Sequence, residues 1–129
     1  MKTIQPAPGT IVMGIFGFTG KQEQNSEFFR PKVYNALFQL SKDEKFKHIF
    51  RDIYFSLVSA GYYYSKQIEE ILFRLGTGNV LVEKSPTHRM LEISSEAKKA
   101  TREYLTKQYA GEDVKLMETA AKRFMELAR

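Results

Sequence analysis

The run from Leu72 to Leu105 reads LFRLGTGNVLVEKSPTHRMLEISSEAKKATREYL. In order, it holds the end of an amphipathic helix, a glycine stop, two β-type stretches around a polar connection, and the capped start of another helix. Gly76 and Gly78 close the first helix, because glycine takes the backbone angles that a helix end demands. Val80-Leu81-Val82 and Met90-Leu91-Glu92-Ile93 are strand formers, and the stretch between them, Glu83 to Arg89, is polar and basic. That pattern predicts a hairpin with a basic tip. Ser94 or Ser95 then caps a helix running to about Tyr109.

Working upstream, Ser65 can cap the helix that ends at Gly76, with Ile68, Ile71, Leu72 and Leu75 as its apolar face. Ser41 and Glu44 form an S-x-x-E capping box. From it Phe46, Ile49, Phe50, Ile53, Leu57 and Ala60 follow at helical spacing, so a central core helix is expected from Ser41 to Ala60, ended by Gly61. An earlier helix is expected over 26–40, from Phe28, Phe29, Val33, Leu37 and Leu40, with Pro31 near its first turn. Residues 1–25 hold two of the four prolines and four of the eight glycines, which disfavours helix and points to an extended arm or strand. Downstream, Gly111 breaks the chain ahead of a last helix, 112–127, striped by Val114, Met117, Ala121, Phe124 and Ala128. That stripe either folds back on the protein's own core or forms a homodimer seam through 112–128; the seam is the expectation.

The 129 residues suit one domain, and 43% hydrophobic with 27% charged residues is ordinary for a folded chain. The absence of cysteine excludes disulfides, thiolate metal sites and cysteine nucleophiles, and two histidines are too few for a histidine-rich metal site. No apolar run approaches a membrane span and no export signal is recognisable, so a cytoplasmic protein without membrane contact is expected. The net charge of +5 suits an anionic partner. It is not concentrated: the charge is +1 over 1–25, +2 over 26–60, zero over 61–93 and +2 over 94–129.

Helix, helix, turn, helix, hairpin, helix is an order that resembles the winged-helix DNA-binding superfamily. Residues 34–105 carry the resemblance. The closest stretch, FRLGTGN then VLVEK, a turn and MLEISSEAKK, is similar to PadR- and MarR-like regulators. Placing Gly61 as the turn glycine of a short helix-turn-helix leaves Gln67 and Glu70 at apolar positions, so only the looser winged form fits. The resemblance implies a mainly α fold with a small β-hairpin, a winged helix-turn-helix with an extra C-terminal helix. It implies an N-terminal arm over 1–25, the winged-helix domain over 26–110, and a dimerising helix over 111–129. Helix 65–75 would lie in the major groove and 83–89 would be the wing, with Lys66, Gln67, Arg74, Lys84, His88 and Arg89 touching double-stranded DNA. The function implied is transcriptional regulation, without enzyme activity or cofactor. The alternative is a protein–protein interaction module that binds no DNA.

Other motifs carry less. Gly17-Phe18-Thr19-Gly20-Lys21 hints at a phosphate loop, but G-x-x-x-x-G-K-[ST] would need glycine at Ile15 and a hydroxyl at Gln22. Tyr62, Tyr63 and Tyr64 offer rings for stacking on bases or anchoring a partner, or for packing on the core. His48 and Asp52 could pair at i, i+4 on a helix, yet no nucleophile accompanies them.

Overall fold

A computed structural model describes residues 6–58, 61–84 and 89–128. The central element is one the sequence reading did not anticipate. Helix α1 (Pro8–Gly17) replaces the expected extended arm, with Pro8 in its first turn and Ile11, Val12, Ile15 and Phe16 buried. Each helical glycine costs about 1 kcal/mol relative to alanine, but here the glycines are points of close approach. A Cβ on Gly14 would lie 2.5 Å from Met117 Sδ, and one on Gly17 would lie 2.6 Å from Thr101 Cγ2. Close packing of α1 offsets its poor intrinsic propensity.

Strand β1 (Ser26–Phe29) and helix α2 (Arg30–Lys42) occupy the stretch expected to be helical from residue 26. Pro31 explains the correction. Its missing N–H is harmless in the first turn but breaks a helix interior, so no helix runs through it from residue 26. The expected core helix from Ser41 to Ala60 is also absent from the described residues. Helix α2 continues through Ser41, whose hydroxyl donates to the Phe38 carbonyl and caps nothing. From Asp43 the chain makes successive short turns, among them Phe46 N to Asp43 O at 3.0 Å and Ile49 N to Phe46 O at 2.9 Å. Phe46 and Phe50 reach the core, but Tyr54 and Leu57 are 69% and 63% exposed. The Ile53-Tyr54-Phe55 run, rich in strand formers, extends instead. It leads to a two-residue ladder between β2 (Ser56–Leu57) and β3 (Tyr63–Tyr64).

The second half follows the expected order. Helix α3 (Lys66–Thr77) starts on Ser65, whose hydroxyl accepts from Ile68 N at 3.2 Å. Strands β4 (Val82–Lys84), which begins two residues later than the expected 80–82 and takes in Glu83 and Lys84, and β5 (Met90–Ile93) form the antiparallel hairpin, and β1 joins the far side of β5 to give the order β1-β5-β4. Helix α4 (Ser95–Gln108) is capped by Ser94, which accepts from Ala97 N at 3.1 Å. Helix α5 (Gly111–Leu127) packs on α1 and α2.

This packing corrects the homodimer seam. Met117, Ala121 and Phe124 have no exposed surface, Ala128 has 8% and Val114 is half-buried, so the chain itself covers most of the stripe through 112–128. Phe124 meets Phe16 and Phe28 with ring centroids 5.4 and 5.3 Å apart. One buried apolar cluster therefore draws on residues before 26, between 26 and 110, and after 110. The fold is mainly α with a small antiparallel sheet, and no helix among the described residues is long and apolar enough to cross a membrane.

Candidate functional site

Helix α3 is held along one edge by Ile68, Leu72 and Leu75, leaving Lys66, Glu70, Phe73, Arg74 and Thr77 outward. Of the residues assigned to DNA, Lys66 and Arg74 are exposed here and their side chains have no partner among the described residues. Gln67 is committed elsewhere: its amide donates to Asp52 O at 3.2 Å and accepts from Tyr54 N at 3.4 Å. It ties the extended 52–54 segment to the first turn of α3. Gln67 and Arg74 share a cleft with Pro8 and Met13 of α1.

The hairpin residues lie apart from these. Lys84 sits between Glu27 (3.0 Å) and Glu92 (3.7 Å), an arrangement spanning β1, β5 and β4. The hydrogen bond to Glu27, then the charges of Glu27 and Glu92, raise its pKa above the usual lysine value. Its positive charge is thus answered within the sheet. Arg89 is exposed, its side chain has no partner among the described residues, and its carbonyl accepts from Arg30 N at 2.6 Å. His88 and the rest of the hairpin tip, 85–88, lie outside the described residues. The assigned set therefore falls into three places: the outer ridge of α3, its flank toward α1, and the hairpin.

Between α3 and the hairpin runs a groove of about 640 Å³ that the sequence did not suggest. Leu72, Leu81 and Leu91 form its floor. Phe73, 71% exposed, and Val82, 52% exposed, also line it. Tyr34 and Tyr64 close one end with ring centroids 5.4 Å apart. The Tyr64 hydroxyl donates to Glu69 Oε1, and that bond, with burial, pushes the phenol up to about 12. Arg30, beside Tyr34 on α2, pairs with Glu83 of β4. Burial is the first cause of a raised Tyr34 pKa, opposed by Arg30. Phe73 could have been flagged in the sequence, since it falls off the Ile68-Leu72-Leu75 stripe. Tyr34 could not, because its meeting with Tyr64 is a tertiary contact between α2 and β3.

The remaining motifs resolve as structure. Tyr63 stacks on Phe38 at 3.7 Å, and its amide donates to Asn35 Oδ1 at 2.9 Å. Around Gly17–Lys21 the backbone presents carbonyls to cations, the reverse of a phosphate cradle. Arg102 donates to Gly17 O at 2.7 Å and Gly20 O at 3.0 Å, and Lys98 donates to Lys21 O at 3.0 Å. His48 and Asp52 are exposed in turns, not spaced along a helix. Among the described residues no three His, Cys, Asp or Glu side chains gather where a metal could sit. Comparisons with known protein families, with curated proteins and with solved structures find no match.

Proposed function

We propose that the protein is a DNA-binding regulator of winged-helix type that reads duplex DNA through α3. The observation carrying this reading is the free outward ridge of α3, with unpartnered Lys66 and Arg74, on a helix directly followed by the β4–β5 hairpin. A helix packed along one side only can enter a major groove, where Arg74 could pair with guanine and Lys66 with phosphate. Strand β1 braces the hairpin from its far edge, and the Arg30 N–H to Arg89 O bond ties the hairpin to the start of α2. Arg89 is the hairpin's available cation; Lys84, held by two glutamates, adds little. Gln67 is assigned a positioning role for α3 rather than a base contact.

Binding to mixed-sequence duplex at two salt concentrations tests the proposal. Two phosphate contacts, from Lys66 and Arg89, give a log affinity against log salt slope of about −1.8. Arg74→Ala is expected to relax preference at one base position, by about 1–3 kcal/mol if the contact is bidentate. Lys84→Ala is expected to leave the slope unchanged. Absence of duplex binding at low salt would overturn the reading. The second reading, a protein-docking module, is favoured by one observation: Phe73 and Val82 stand exposed on the same groove.

A further inference from the structure

The groove between α3 and the hairpin has the volume of a small-molecule site, since ligand pockets run to roughly 300–1,000 Å³. Its chemistry is uneven. The floor is aliphatic, whereas the end toward α2 gathers Tyr34, Tyr62, Tyr64, the Glu69 carboxylate and Arg30. Arg30, the one cation lining it, already pairs with Glu83 and hydrogen-bonds Tyr34. Glu69 offers one oxygen to the Tyr64 hydroxyl, and its Oε2 has no partner among the described residues. With one arginine against two glutamates the lining carries net −1. Aromatic faces beside an open carboxylate attract an organic cation through ring quadrupole and charge together. A carboxylate ligand would instead meet Glu69 and an arginine already engaged.

We infer that this groove binds a small organic ammonium compound with an apolar body, the ammonium at Glu69 and the tyrosine rings and the body along Leu72, Phe73 and Val82. The inference stands on the groove alone and does not require the DNA-binding reading. It gives Glu69, a poor neighbour for phosphate, a purpose on α3. Binding there touches α3 and β4 together, the two elements between which the groove lies.

Three probes of like shape and different charge test it: 2-phenylethylamine, 2-phenylethanol and phenylacetate, titrated into the full chain and followed by backbone amide NMR. The amine is expected to saturate, to shift amides at Glu69, Phe73, Gly76 and Thr77, and to bind about ten-fold more tightly than the alcohol. Phenylacetate is expected to bind more weakly than either. Glu69→Gln keeps an acceptor for Tyr64 and is expected to abolish the amine's advantage over the alcohol. Phe73→Ala is expected to weaken amine and alcohol alike. Both side chains are exposed, so the unfolding midpoints of the variants should match the parent protein and confirm that they are folded. Equal affinity for amine and alcohol, an advantage that survives Glu69→Gln, shifts mapping elsewhere, or no saturation by about 20 mM amine would each overturn the inference.

Discussion

Lys98 is the one fully buried charged side chain among the described residues, and its ammonium is met by neutral partners, Lys21 O at 3.0 Å and Ser26 Oγ at 2.7 Å. Burial, reinforced by the nearby Arg102 charge, lowers its pKa below the ordinary 10.5. Between the lowered value and 10.5 the unfolded chain holds a proton that the folded chain has released. Stability contributed by this residue therefore rises with pH across that window. Urea unfolding of the parent protein and Lys98→Met from pH 8 upward measures it: the parent should gain on the variant as pH rises. A constant difference would show that burial leaves the Lys98 pKa where it is in the unfolded chain. At this scale the sequence was legible where a residue acts locally. Ser65 and Ser94 cap the helices their spacing announced. Lys98 was not legible, because its burial depends on the 18–26 loop lying across α4.

At the scale of elements, glycine and serine were read by their local habits, and tertiary contact overrode them. Gly14 and Gly17 signalled a break in helix, but α1 needs them to bring its backbone against α5 and α4. Gly14→Ala should consequently destabilise the fold by about 1–3 kcal/mol, through overpacking against Met117, despite the better helix propensity of alanine. Chemical denaturation reads this, and a stabilised variant would show that α1 and α5 do not approach as described. Ser41 and Glu44 matched a capping box, yet a capping hydroxyl must lie outside the helix it starts, and α2 already includes Ser41. The apolar spacing from Phe46 to Phe50 was real, serving two turns instead of a long helix. The hairpin, α3, α4 and α5 were legible because glycine, serine and apolar period agree there. The groove was not, since three separate elements and Tyr34 must converge to make it.

For the molecule as a whole, the stripe on α5 was the main signal for a dimer, and its burial against α1 and α2 assigns it to the single chain. Phe124→Ala is expected to cost about 3–5 kcal/mol, with an unfolding midpoint independent of protein concentration. A midpoint that climbs with concentration would return the stripe to an interface. The charge of +5 is likewise a property of the whole surface rather than of one segment. What DNA binding requires is that Lys66 and Arg74 on α3 and Arg89 on the hairpin act on one duplex. The most direct test is the salt dependence of duplex binding by the parent protein and by a Lys66→Ala, Arg89→Ala double variant. Loss of two phosphate contacts should flatten the log affinity against log salt slope by about 1.8, with a similar loss on every sequence. A double variant with the parent's affinity and slope would contradict the account, and would leave α3 and its groove to a partner other than DNA.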